Sequence, residues 1–348
     1  MTLFNSFDIA GRTVEKDTAP LVIAEIGLNH GGSLDVAIEI VDSAVRAGVE
    51  VVKHQTHIID DEMSGSAKLV IPGNSIKSIY QIMSECALNE KDEWTLMQYT
   101  KSRGIIFIST PFSRAAVNRL EKFGVPAYKV GSGECNNYPL LKYIASKGKP
   151  IILSTGMNDM ASISKAVAIF KQYRSPFALL HTTNLYPTPY HLVRLGAMTE
   201  LMKHYPDVPV GLSDHTVDNY SSYAAIALGA SIIERHFTDS YSRTGPDIAC
   251  SMDESTCREL VEASIKIYSM LGGKKQAAHE EAVTIDFAFA SVVTIKRVRK
   301  GEAFTEENLW VKRPGLNGIP AEAYESIIGK FSANDLESDQ QLKYKDIA

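Results

Sequence analysis

The strongest constraint on this chain is a repeat of short apolar runs. Eight of them, rich in Val and Ile, fall between Leu21 and His236: LVIAEIG from Leu21, VEVVKHQ from Val49, IIFIST from Ile105, AYKVGSG from Ala127, PIILSTG from Pro150, FALLHTT from Phe177, VPVGLSDH from Val208 and SIIERHF from Ser231. Helical periodicity separates most of them, and no hairpin signal joins consecutive runs. Strand, helix, strand repeated without hairpins requires parallel pairing through right-handed crossovers. Eight such units over this length predict a closed (β/α)8 TIM barrel. The alternative is a doubly wound open sheet, but AEIGLNHGGS after the first run carries a Gly pair without the GxGxxG spacing that dinucleotide-binding sheets use.

The periodic pattern stops near Gly272, in GGKKQAAHEEAV, and the remainder reads as short strands and turns: ASVVTIKRVRKGEAFTEENLWVKRPGLNGIP, then IIGKFSANDL. The expected organisation is a catalytic barrel over 1–272, a linker over 273–286 and a small β-rich domain over 287–348. A domain of about 60 residues lies near the lower limit for independent stability. Docking onto the barrel or onto a partner subunit is therefore expected.

Composition narrows the partners. The chain is 45% hydrophobic and 22% charged, enough apolar surface for a conventional core. A net charge of -5 argues against a phosphate-backbone partner, and the densest basic cluster, KRVRK at Lys296–Lys300, reads as a strand with one solvated face. No nucleic acid is expected. Cys86, Cys135, Cys250 and Cys257 have neither zinc-site spacing nor the density of a disulfide scaffold, which predicts reduced thiols in the cytoplasm. The segment MTLFNSFDIAGRTVEKD lacks a basic stretch followed by an apolar one, and no run reaches the roughly 18 apolar residues of a membrane span. A cytoplasmic protein without membrane contact is the expectation.

In a barrel of this kind the active site forms at the carboxyl ends of the strands, so polar residues ending apolar runs mark it. Nearly every run has one: Glu25, Lys53 with Gln55, Thr110, Lys129 with Ser132 and Glu134, Asn184 and Tyr186, Ser213 with His215, and His236. His215 and His236 close consecutive strands, which lie about 4.8 Å apart, so both imidazoles reach one ion. Two imidazoles leave open positions, which suits a catalytic divalent cation completed by water and substrate oxygens. Mn2+ is the expected ion, with Mg2+ or Co2+ as alternatives. Lys53 and Lys129, converging with Ser132, Thr110 and Ser213, favour a small multiply charged anion; a structural Lys–Glu pair inside the barrel is the competing reading. Glu25 and Glu134 supply carboxylates for acid-base work or for neutralising the lysines. His30, His54, His57 and His181 read as hydrogen-bonded rim or core residues.

The ordered motifs AEIGLNHGGS, VVKHQTHIIDDEMS, IPGN, FISTPFS, YKVGSGECNNYPL, ILSTGM, TNLYPTP, GLSDHT, ERHFT and GPDI resemble the bacterial N-acetylneuraminate (sialic acid) synthase family. FAFASVV and NLWVKRPG resemble that family's antifreeze-like (SAF, β-clip) C-terminal domain. The resemblance covers essentially the whole chain. It implies that Lys53, Lys129, Thr110, Ser132, Asn184 and Ser213 hold phosphoenolpyruvate and that His215 and His236 bind the metal. It also implies that Gln55, Asn74, Tyr186 and Asp247 contact N-acetylmannosamine, and that Arg313 comes from the small domain of the other subunit in a swapped homodimer. The implied reaction joins phosphoenolpyruvate to the sugar aldehyde with water, giving N-acetylneuraminate and phosphate by carbon-oxygen cleavage. Glu134 is assigned to the attacking water and Glu25 to proton movement. Ser242 stands where the family commonly has an acidic residue, and Thr182 where it often has Cys.

Three other readings compete. Related synthases take a diacetamido-trideoxy hexose of the legionaminate type. A Schiff-base aldolase would use Lys53 or Lys129 as nucleophile and need no metal. A saccharide-binding module would be built around the tail alone.

Overall fold

The computed structural model describes residues 4–72 and 76–348. It begins with an antiparallel hairpin that the apolar-run pattern does not reveal, β1 (Ser6–Ile9) and β2 (Arg12–Glu15). Both turn residues, Ala10 and Gly11, have positive φ, the conformation that matches hairpin twist.

The eight apolar runs then form eight strands: β3 (Leu21–Gly27), β4 (Val51–Thr56), β5 (Ile106–Pro111), β6 (Tyr128–Val130), β7 (Ile151–Ser154), β8 (Phe177–Thr182), β9 (Val210–Asp214) and β10 (Ile232–His236). They close as a barrel in the order β10-β3-β4-β5-β6-β7-β8-β9, with every pairing parallel. The expected TIM barrel is the observed fold.

Helices return the chain between strands, and their ends are written in the sequence. Leu34–Ala47 starts at Ser33, whose side chain accepts from the Val36 amide, and ends at Gly48 with φ 86°. Arg114–Phe123 is bounded in the same way by Ser113 and Gly124. Outward strand residues such as Val22, Ala24, Val52 and Phe107 pack against the buried helix faces.

Successive strand residues alternate between the two faces of the barrel wall. Inward residues low on the strands, Ile23, Val51, Ile108, Ile152, Leu180 and Ile232, form one apolar cluster with Phe7, Ile9 and Val14 of the hairpin. The hairpin thus seals the amino end. Two residues further along the same face the chemistry changes to Glu25, Lys53, Thr110, Ser154, Thr182 and Glu234, all buried.

The chain divides into compact units Met1–Gly272 and Gly273–Ala348. The second has its own core of Val292, Val298, Phe304, Leu309, Ile319, Ile327, Leu336 and Leu342, and an antiparallel pair, β11 (Ser291–Thr294) and β12 (Leu309–Lys312). Two details differ from expectation. The linker is partly helical, Ala282–Ala288, because nothing in EEAVTIDFA breaks a helix, and this helix crosses the expected boundary at 286. KRVRK is not a strand: β11 stops at Thr294, and of the five residues only Val298 is buried, forming an isolated bridge to Leu336. Among the described residues no helix is long and apolar enough to cross a membrane, and all four cysteines are free.

Candidate active site

The strand ends surround a cavity of about 310 Å³ lined by Glu25, Lys53, Gln55, Thr110, Lys129, Ser132, Asn184, Tyr186, Ser213, His215, His236 and Asp247 among others. Twelve of the residues singled out in the sequence therefore share one space. Register explains the convergence. Glu25 pairs with Lys53 on β4 and with His236 on β10, Gln55 pairs with Thr110, and Ser213 pairs with Thr182 and Glu234.

At the centre sits a carboxylate that the search of strand ends misses. Glu234 Oε1 is 3.0 Å from Lys53 Nζ, 3.6 Å from Lys129 Nζ and accepts from Ser213 Oγ at 3.3 Å. The signal was its place two residues before His236, hence on the same inward face. Burial pushes its pKa up, but Lys129 and Lys53 outweigh burial and hold it down at about 2. Lys53 also meets Glu25 Oε2 at 3.2 Å; burial opposes its charge, and Glu234 and Glu25 more than compensate, so its pKa is raised. Lys129 donates to Ser154 Oγ at 2.7 Å and to the Val130 carbonyl at 3.1 Å; burial brings it down to about 8. The lysines are thus in the Lys–Glu pairing that the sequence left as an alternative, inside a cavity that also admits a ligand.

Glu25 is fully buried, and burial raises its pKa to about 7 against the opposing pull of Lys53. Gln55 donates to Glu25 Oε1 at 2.6 Å. Asp247, half-buried beside His236, is pushed up to about 6 by desolvation. Glu134 follows the cavity-lining Gly133 without itself lining the cavity: it is half-buried in the turn after β6, accepts from Asn137 Nδ2 at 2.5 Å, and its pKa is raised by burial. Asn74 lies outside the described residues. Arg313 is exposed in the second unit, one residue past β12.

Several buried polar atoms around the cavity have no hydrogen-bond partner: Thr110 Oγ1, Thr182 Oγ1, Asn184 Oδ1, Glu234 Oε2 and His236 Nδ1. Buried polar groups are rarely left so, and a cluster of them facing one space marks a place built for a polar ligand. Gly156 adds a backbone donor, its N–H reaching Ser132 Oγ at 3.1 Å. A Cβ at this glycine would stand 1.9 Å from Asn184 Oδ1, so any larger residue would displace the Asn184 side chain. The sequence reading passed over it because STGM carries no charge.

The two histidines suit a divalent cation. Their ring centroids are 5.4 Å apart, and His215 Nδ1 is taken by the Thr183 carbonyl at 3.0 Å, which turns the Nε2 lone pair loose. His236 Nδ1 has no hydrogen-bond partner and is 3.6 Å from Asp247 Oδ2. Burial lowers the pKa to about 4 at His215 and about 3 at His236, so both rings are neutral and free to ligate at pH 7. Among the described residues no group of three or more His, Cys, Asp or Glu side chains converges as a ligand set, so further ligands would come from water and substrate. Tyr186 stacks on His215 with centroids 4.2 Å apart and closes one side of the mouth.

A model of the NeuB family matches residues 40–276, and a model of the SAF domain matches residues 289–348. The N,N'-diacetyllegionaminic acid synthase of Campylobacter jejuni is 36% identical over 93% of this chain and 98% of its own length. The N-acetylneuraminate-9-phosphate synthase of Homo sapiens is 32% identical over 95% of this chain and 94% of its own. The solved N-acetylneuraminic acid (sialic acid) synthetase of Leptospira borgpetersenii, in complex with citrate, is similar with a TM-score of 0.74 and 29% identity, covering 80% of this chain and 95% of that one.

Proposed function

The chain belongs to the NeuB family of sialic-acid-type synthases, and from that premise we propose that it condenses phosphoenolpyruvate with N-acetylmannosamine and water to give N-acetylneuraminate and phosphate. The observation that carries this reading is the meeting of Lys53 and Lys129 with Glu25, Glu234 and two neutral histidines in one blind cavity.

The two lysines, Ser132, Ser213, Thr110 and Asn184 take the phosphate and carboxylate oxygens of phosphoenolpyruvate, satisfying the orphaned Thr110 Oγ1. Glu234 holds both ammonium groups in place beforehand, so little reorganisation accompanies anion binding. His215 and His236 would hold the divalent ion, Mn2+ in this proposal, which when bound supplies Lewis-acid polarisation of the sugar aldehyde. Carbon 3 of the enol attacks that aldehyde, and Glu25, poised near neutrality, carries the proton to the new alkoxide. Water adds at carbon 2, with Glu134 assigned to orient or deprotonate it from the turn beside Ser132. The tetrahedral phosphate then collapses with carbon-oxygen cleavage. Gln55, Asn74, Tyr186 and Asp247 contact the sugar, and Arg313 reaches the N-acetyl group from the partner subunit of a swapped homodimer.

A second aldehyde has support of its own, since the Campylobacter jejuni relative makes N,N'-diacetyllegionaminic acid. The test is phosphate release across N-acetylmannosamine and 2,4-diacetamido-2,4,6-trideoxymannose, with and without Mn2+. Turnover confined to the trideoxy sugar moves the assignment to the legionaminate type, and turnover with neither ends it. Oxygen-18 in the bridging position of phosphoenolpyruvate must leave with phosphate. Activity that survives chelator, with a borohydride-trapped adduct on Lys53 or Lys129, would instead identify an aldolase.

A further inference from the structure

We infer that His57 is a positioning residue that fixes the side-chain amide of Gln55, and through it the sugar side of the cavity. The inference rests on the reading of Gln55 as a sugar contact in a synthase.

Gln55 Nε2 donates to Glu25 Oε1 at 2.6 Å. That leaves the amide oxygen, and His57 Nε2 lies 3.1 Å from it. The other ring nitrogen, Nδ1, is anchored 2.8 Å from Glu62 Oε2. A carbonyl oxygen and a carboxylate oxygen both only accept, so both ring nitrogens carry hydrogen in these contacts, Nε2–H donating to Gln55 and Nδ1–H donating to Glu62. The ring also lies flat on Phe112, with centroids 4.5 Å apart and planes 10° from parallel. Held at two edges and one face, the imidazole is rigid, and its side chain is only 1% exposed.

Phe112, Gln55 and Glu25 line the cavity, whereas His57 does not, so it reaches the reaction only through them. A free glutamine amide exchanges its two ends by a half-turn about its last bond. In the flipped state its oxygen would face the Glu25 carboxyl and its NH2 would face His57, reversing donor and acceptor at the cavity wall. His57 removes that state. The cavity then always presents the same edge of Gln55 to a sugar hydroxyl, and Glu25 keeps its donor.

The test uses the full-length protein and steady-state phosphate release with each substrate varied alone. His57→Phe keeps a ring on Phe112 but has no donor, whereas His57→Gln carries an N–H near the former Nε2 position. Losing one oriented hydrogen bond is worth about tenfold. His57→Phe should therefore raise KM for the sugar about tenfold while kcat and KM for phosphoenolpyruvate stay within about twofold. His57→Gln should recover most of that loss. The double variant His57→Phe/Gln55→Ala should be no worse than Gln55→Ala alone, as expected for one residue acting through the other. An unchanged His57→Phe enzyme, equal losses in all constants, or additive losses in the double variant each overturn the inference. If the wild type releases no phosphate with any aldehyde, the synthase reading fails separately. The geometry is then judged by NMR of the His57 ring: an Nε2 proton that moves in Gln55→Ala upholds the contact, and one that does not move refutes it.

Discussion

Lys53 and Glu234 meet inside the barrel with 3.0 Å between Nζ and Oε1, although their strands, β4 and β10, are separated in the sheet by β3. A pair that reaches past β3 in this way braces one side of the site and supplies the counter-charge for two buried lysines.

Removing the carboxylate exposes both functions. In Glu234→Gln two buried ammonium groups lose their strongest partner, and breaking a buried pair costs about 3–5 kcal/mol. The sign with pH follows from a folded pKa of about 2 against the ordinary 4.5. Stabilisation by Glu234 is complete above 4.5 and vanishes as pH falls through about 2. Urea melts should show a wide gap between wild type and variant at pH 7 that persists to about pH 4.5 and narrows below it. Added inorganic phosphate should raise the variant's melting temperature more than the wild type's.

Lys129 sets an alkaline limit. Its pKa is brought down to about 8 by burial, and only its charged form attracts an anion. Hence kcat/KM for phosphoenolpyruvate should fall on raising pH through about 8, approaching a tenfold loss per unit. Lys129→Arg, which stays charged, should lose this limb, whatever its absolute rate. A flat profile to pH 10 would remove Lys129 from anion binding.

The cation assignment is open to calorimetry. His215→Ala and His236→Ala should each weaken Mn2+ binding by at least about tenfold and abolish chelator-sensitive phosphate release. Undiminished Mn2+ affinity in both variants would take the metal away from these rings.

Gly156 tests the anion cradle without touching a charge. A methyl group there would overlap Asn184 Oδ1 and crowd Ser132 Oγ, 2.9 Å away. Gly156→Ala should lower kcat/KM for phosphoenolpyruvate on the order of 100-fold, the effect of displacing a contact by about 1 Å. Its sugar KM should hardly change.

Much of this was legible in the residues. Apolar runs announce buried parallel strands, and a polar residue at the end of each run points to the mouth, which is why Lys53, Lys129, His215 and His236 were found together. Glu234 escaped because it lies inside an apolar run rather than at its end, and only the two-residue step from His236 reveals its direction. β1 and β2 escaped because four-residue strands contain too little alternation to stand out. Glu134 shares a turn with Ser132, where no strand alternation tells which way a side chain points, and its carboxylate accepts from Asn137 Nδ2. Ligand-binding side chains on strands are thus read more securely than those on turns, where a single dihedral redirects them.

The sealed floor made by Phe7, Ile9 and Val14 leaves the barrel a single doorway. Whatever rests on Lys53 and Lys129 occupies the blind end, while Gln55 stands two residues nearer the opening than Lys53 on β4, and His236 two residues nearer than Glu234 on β10. In the proposed reaction the phosphorylated reactant is then expected to enter ahead of the sugar, and a sugar that arrives early becomes a stopper. Excess aldehyde should slow turnover at low phosphoenolpyruvate, a queue imposed by a hairpin remote from every reacting atom.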